Sequence, residues 1–349
     1  MRPNESRKPE SLPDSAVGPG PATRPADPVR AFAAGDFDAL SLRFARAGLR
    51  VLRPQPGILR LESGYPGRAR LLLSAGVHGD ETAPIEILAA LMDELAAAPD
   101  ARMPDLLLVL GNPDAVAAGA RYLDADMNRM FRAARGEPGA TREARRAEAV
   151  MQACVDFFDA AADRQPRWHL DLHTAIRSSR HPGFAVVPSG GAESGRARLL
   201  AWLAQAGIEA AILNPDSSSG TFSAWSAQQC GTVGATVELG RIGPLGQNDL
   251  APFARTVAAL RALLHGAGLP PPGGAPRLYR VVRELRKHSA AFHAHFAPDT
   301  ENFAPFAAGT LIAEDGALAY RAGNETEYIV FPNPDVQIGL RAGLMVVPA

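Results

Sequence analysis

Between residues 51 and 265 the chain alternates short apolar runs with longer stretches of helical periodicity. Residues 68–74, containing Leu71-Leu72-Leu73, and residues 105–110, with five consecutive aliphatic positions, read as strands buried on both faces. Residues 167–173 alternate polar and apolar and end on His173, while 183–188, 210–213 (an edge) and 232–239 read as further strands. Residues 85–98, 115–120, 141–162, 197–206 and 249–265 carry apolar positions at helical spacing. Pro99-Asp100 stops the first of these, and Asp114 can cap the second. Apolar residues on both sides of the turn residues 54–57 predict a hairpin over 51–61. This order predicts an α/β fold: a mostly parallel or mixed central sheet with helices on both faces.

The pattern changes at both ends. Residues 265–276 are rich in Gly and Pro and read as a linker, after which short strands are expected at 279–282, 291–296, 309–313, 327–331 and 344–347. A small C-terminal all-β domain over 277–349 is the consequence. Residues 1–30 mix charges, prolines and glycines without an apolar stretch, the composition of a disordered tail and not of a secretory signal. The expected domains are therefore a tail (1–30), an α/β domain (31–265) and the small β domain (277–349).

Composition narrows the class. With 46% hydrophobic and 21% charged residues the chain is ordinary globular protein, and a net charge of −1 offers no basic face for nucleic acid or an acidic membrane. No run of 18 apolar residues is present, so no membrane span is expected. The two cysteines, Cys154 and Cys230, make no disulfide framework and fit free thiols in the cytoplasm. A small-molecule substrate is the expected partner; a homo-oligomer stays open.

Candidate chemistry gathers at strand ends. His78 and Glu81 lie where the strand at 68–74 hands over to a helix, the edge at which open α/β sheets bind ligands. His173 arrives at a second strand end. Two histidines and a glutamate form a known catalytic zinc set, so one Zn²⁺ per chain is the expected cofactor. Taken singly, Glu81 also suits a helix N-terminus and His173 a hydrogen-bonded strand end. Glu238 ends the strand at 232–239, as a general base or as a salt-bridge partner of Arg241. Residues 121–129 concentrate Arg121, Asp126, Asn128 and Arg129, which suit carboxylate recognition and oxyanion stabilisation, or a solvated loop. Asp126 could orient a ligand histidine or a substrate-binding arginine. Arg177 could supply another carboxylate contact, with a plain surface arginine as the alternative, and the Ser/Gly-rich loop 214–222 is of the kind that can move. His169 reads as structural, and Trp168, Trp202 and Trp225 as core.

The strings His78-Gly79-Asp80-Glu81, Gly111-Asn112-Pro113, Arg121-Tyr122, Asp126-Met127-Asn128-Arg129, Asp171-Leu172-His173-Thr174-Ala175-Ile176-Arg177 and Val237-Glu238-Leu239-Gly240 occur in this order. Together they resemble the succinylglutamate desuccinylase/aspartoacylase family, which belongs with the zinc carboxypeptidase-like fold. Gly246-Gln247-Asn248-Asp249, Phe331-Pro332-Asn333-Pro334 and residues 339–344 favour its desuccinylase branch. The likeness spans residues 45–349. It implies His78, Glu81 and His173 as zinc ligands, Glu238 as general base and then acid toward a zinc-bound water, and Arg121 as oxyanion stabiliser. It implies Asn128 and Arg129 as the clamp for the α-carboxylate, and a β domain from Arg277 onward that narrows the site. The implied reaction is hydrolysis of N-succinyl-L-glutamate to succinate and L-glutamate, late in arginine breakdown. Under this resemblance Arg177 and the loop 214–222 become candidates for the acyl pocket. Rivals are deacylation of another N-acyl amino acid (aspartoacylase-like), a short-peptide carboxypeptidase, and a non-catalytic binding protein. Arg241 stands where a lysine is expected and receives no role.

Overall fold

Apolar runs that offer no polar side have to be covered on both faces, and this requirement sets the layers of the molecule. The computed structural model describes residues 27–65, 68–100, 103–133, 140–160, 165–190, 193–214, 220–265 and 268–349. The amino-terminal elements are α1 (Pro28–Ala33), α2 (Asp38–Arg46), β1 (Arg50–Leu52), β2 (Ile58–Glu62), β3 (Arg70–Ala75), α3 (Ala83–Ala97), β4 (Asp105–Leu110), α4 (Pro113–Ala118) and α5 (Arg142–Asp159). There follow β5 (Arg167–Ala175), β6 (Gly183–Pro188), α6 (Glu193–Gln205), β7 (Ala210–Asn214), α7 (Phe222–Gln229), β8 (Val233–Arg241) and α8 (Ala254–His265). Beyond residue 276 come β9 (Arg277–Arg286), β10 (Phe292–Ala294), β11 (Ala304–Phe306), β12 (Leu311–Asp315), β13 (Leu318–Arg321), β14 (Glu327–Val330) and β15 (Arg341–Pro348).

Among the described residues one sheet has the order β1-β2-β4-β3-β5-β8-β6-β7-β9-β15-β14-β11, and β10-β12-β13 form a separate small one. Its centre, β4-β3-β5-β8, is parallel; β6 enters antiparallel to β8. The period-2 alternation of strand side chains sorts the core. Leu71, Leu73, Leu106, Leu108 and Leu110 join one core with Phe32, Phe44, Leu88, Trp202 and Leu260, under α1, α2, α3, α6 and α8. Leu72, Leu107 and Val109 face the other way, toward Val150, Phe157 and Phe158 of α5 and Phe222 of α7. Helices on both faces of a mixed sheet is the expected architecture.

Several details differ from the sequence expectation. Strand β7 is not an edge: β9 pairs parallel with it, so the large sheet continues past residue 276. The short strands β11 and β13 were not anticipated. Helix α4 is capped by Asn112, whose Oδ1 accepts from Ala115 N at 3.3 Å, and not by Asp114. Helix α1 begins at Pro28, capped by the Asp27 side chain, within the stretch expected as a tail; residues 1–26 lie outside the described residues, as do 215–219 of the loop 214–222. No helix among the described residues is long and apolar enough to cross a membrane.

Candidate active site

Three parallel strands deliver the site. Strand β3 ends at Ala75, and Gly76 turns the chain with φ +66°. The turn is fastened to the end of β4 by Gly111 N to Ala75 O (2.8 Å) and Asn112 N to Gly76 O (2.7 Å). Gly79 then passes so close to α4 that a Cβ there would lie 2.2 Å from the Ala115 carbonyl carbon. This close passage seats His78 and Glu81 on either side of the glycine, and Glu81 bridges to Gly243 beyond β8. On the neighbouring strands His173 and Glu238 are direct register partners. All four side chains are buried.

The donors converge. One ligating atom from each of His78, Glu81 and His173 lies within 4.8 Å of the others, the group of at least three metal-capable residues found among the described ones. Each imidazole turns Nδ1 toward Glu81: His78 to Oε1 and His173 to Oε2, both at 2.7 Å. Each Nε2 faces a different carboxylate at 3.0 Å, Asp126 for His78 and Asp171 for His173. An Nε2–H donated to a carboxylate leaves Nδ1 as a basic lone pair directed at the common point. Two nitrogens and one carboxylate with oriented imidazoles fit a zinc-class ion.

The carboxylates of the cluster favour positive charge on both histidines. Burial opposes charge on His78, but Glu81 and Asp126 outweigh it and raise its pKa. His173 is raised further, against burial, by Asp171 and Glu81. Burial would raise Glu81, yet the two histidines hold it well below the usual carboxylate range. Glu238 behaves oppositely: burial pushes it up to about 7, and its Oε2 has no hydrogen-bond partner. A base with pKa near neutrality is suited to moving protons at physiological pH.

Residues 121–129 wrap over the same point. Arg121 Nη1 donates to Glu81 Oε1 at 2.9 Å. Its Nη2 approaches His78 Nε2 at 3.1 Å, but that nitrogen's proton is directed to Asp126, so this is a contact and not a second hydrogen bond. Asp126 Oδ1 also accepts from Asn128 N at 2.9 Å, and Asn128 Oδ1 accepts from Phe222 N at 2.9 Å, tying the segment to the start of α7. Arg129 Nη1 donates to the Asn128 carbonyl at 2.7 Å.

Comparison with known proteins identifies the family of the chain. The succinylglutamate desuccinylase/aspartoacylase catalytic domain matches residues 68–264, and the AstE/AspA barrel-sandwich hybrid domain matches residues 274–349. The chain belongs to this family. Succinylglutamate desuccinylase of Burkholderia pseudomallei is 44% identical over 310 residues, 88% of this chain and 86% of that one. Among solved structures, a succinylglutamate desuccinylase of Vibrio parahaemolyticus matches with a TM-score of 0.80 at 33% identity, over 86% of this chain and 88% of that one. That of Chromobacterium violaceum matches with a TM-score of 0.74 at 36% identity, over 89% and 97%.

In this member of the desuccinylase/aspartoacylase family, the nine residues singled out from sequence divide in two. His78, Glu81, His173, Glu238, Arg121 and Asp126 are linked by direct contacts or strand register. Asn128 and Arg129 join through Asp126 and the α7 start, whereas Arg177 stands apart, two residues past β5, its Nε buried and without a partner. Arg241 is exposed, so Glu238 is not buried by pairing with it.

Three positioning residues escaped sequence reasoning. Asp171 holds His173 and accepts from Ser74 Oγ at 2.6 Å; its place two residues before His173 on an alternating strand was the available signal. Glu143, 1% exposed, accepts from Leu123, Asp124 and Ala125 N and so cradles the 121–129 segment. Asn248 donates to Thr82 Oγ1 at 2.8 Å and to Glu86, fastening the chain after β8 to the first turn of α3 beside Glu81. His169 is buried and bonded to Ser74 and Ser226, and burial lowers its pKa to about 4, as suits a neutral structural histidine.

Proposed function

We propose that this chain hydrolyses N-succinyl-L-glutamate to succinate and L-glutamate, a late step of arginine catabolism, using one zinc ion. His78, Glu81 and His173 would hold the ion. The observation that carries the reading is this ligand set, with both imidazoles oriented by carboxylates, beside a buried Glu238 that has a free oxygen. The name of a relative 44% identical over 310 residues supports the substrate. The free thiols Cys154 and Cys230 suit a reducing cytoplasm.

When bound, the ion would acidify a water molecule and polarise the amide carbonyl. Glu238 takes the proton released when that water attacks, then delivers it to the departing glutamate nitrogen. Arg121 shifts from Glu81 to the carbonyl oxygen as negative charge grows there. Asn128 and Arg129 grip the α-carboxylate of the amino-acid half, and Arg177 meets the carboxylate of the acyl half. Two of the substrate's three carboxylates thus meet an arginine.

A substrate panel tests the proposal: N-succinylglutamate, N-acetylaspartate, N-acetylglutamate and a dipeptide, each with and without a chelator. N-Succinylglutamate is expected to be turned over with the highest kcat/KM, and the chelator to abolish it. Preference for N-acetylaspartate or the dipeptide would transfer the chain to a sister activity on the same fold.

A further inference from the structure

Two phenylalanines hold backbone angles that side-chain-bearing residues avoid: Phe303 at φ +64° and Phe331 at φ +54°. Such residues persist only where their surroundings fix them, and they gather at functional sites. Both adjoin one buried side chain, Asn302. Its Oδ1 accepts from Phe331 N at 2.7 Å. Its Nδ2 donates to the carbonyls of Arg177 and Ser178 at 3.4 and 3.3 Å. Its backbone N donates to Ser178 O at 2.8 Å, its carbonyl accepts from Arg180 N at 3.2 Å, and it forms a parallel bridge with Ser179. Phe303 packs its ring against His181, with centroids 4.8 Å apart, and against Phe184 and Tyr279.

Each residue from 177 to 181 is thus tied to Asn302 or Phe303 in the C-terminal part of the chain. The loop so held joins β5, which carries His173, to β6, and it carries Arg177. That arginine lies four residues beyond His173, past the same strand end. Its Nε is buried with no acceptor. A buried donor left unpaired is unfavourable, and an incoming carboxylate removes that cost.

We propose that Asn302 is a positioning residue for the acyl end of the substrate: it latches loop 176–182 so that Arg177 meets the terminal carboxylate of the acyl group. The inference rests on the amide-hydrolase reading above and gives the C-terminal part a role in specificity besides narrowing the site. Asparagine suits the latch because one amide serves an N–H and two carbonyls together. An aspartate would set carboxylate oxygens against the carbonyls of Arg177 and Ser178, and an alanine would strand Phe331 N.

The test compares Asn302→Ala, Arg177→Ala and the double variant by kinetics and by succinate binding, read by calorimetry on the full zinc-loaded chain. N302A is expected to raise KM for N-succinylglutamate and Kd for succinate about tenfold, about 1.4 kcal/mol, with kcat little changed. Turnover of N-butyrylglutamate, which lacks the acyl carboxylate, and zinc content should stay at parental levels. The double variant should be no worse than R177A alone. Equal losses on both substrates, fully additive losses in the double variant, or unchanged succinate affinity in N302A would overturn the latch. A parent that cleaves another N-acyl amino acid but not N-succinylglutamate overturns the substrate reading instead. Succinate binding then still decides the latch, and a parent that does not bind succinate overturns it.

Discussion

Glu238 sits in register opposite His173, buried, with one oxygen unpartnered and its pKa pushed up to about 7 by burial. A carboxyl left in that state is poised to accept a proton. Glu238→Gln keeps the size and removes the base, so kcat should fall by about two to four orders of magnitude with zinc content unchanged. Turnover within tenfold of the parent would remove Glu238 from the mechanism. The histidines give a prediction in pH. His78 and His173 have raised pKa values in the ion-free protein. Their contribution to stability is therefore complete below the unfolded value of about 6.5 and is lost as pH rises through the folded values. An ion has to displace those protons, so its binding strengthens as pH rises. Thermal melts from pH 6 to 8 should show the gap in Tm between zinc-loaded and chelated protein widening with pH; a constant or shrinking gap would exclude the two histidines as ligands. The convergence of His78, Glu81, His173 and Glu238 was legible in the sequence because each lies near or just past the end of an apolar strand. Asp171, Glu143 and Asn302 were not, since what a buried polar residue orients depends on which distant segment folds onto it.

The handover from β3 to α3 is the element on which the site depends. Gly79 has no room for a side chain against Ala115, and Gly111 has none against Val77, where a Cβ would lie 2.7 Å from the Val77 Cα. Gly79→Ala should push the turn off α4 and separate His78 from Glu81. We expect zinc affinity to fall at least tenfold, with a loss of stability of about 1–3 kcal/mol. Zinc titration and denaturant unfolding would show this, and parental values in both would mean that the turn tolerates the shift. Periodicity located this turn because strand and helix patterns meet there. The same reasoning misassigned the cap of α4, since Asn112 and Asp114 both carry capping side chains and only backbone geometry separates them. It also took β7 for an edge, because the partner β9 lies across a Gly/Pro-rich stretch that carries no pairing signal.

At the scale of the molecule, the large sheet runs from the hairpin β1–β2 to β11 without interruption. The parallel centre positions the candidate ligands and base, while the C-terminal strands bring Asn302 and Phe303 onto the loop after β5. Helices on both faces were legible from the alternation of short apolar runs and helical periodicity. Strands β11 and β13, three and four residues long and largely exposed or half-buried, carry too little alternation to be read. The claim that unites these scales is that the strand-end cluster is a zinc centre that cleaves N-succinylglutamate. The most direct measurement is succinate release by the chelated, zinc-free chain before and after one equivalent of zinc is added. No release without zinc and full recovery at one equivalent is the predicted result. Undiminished hydrolysis in the zinc-free chain, or none after zinc is restored, would contradict it.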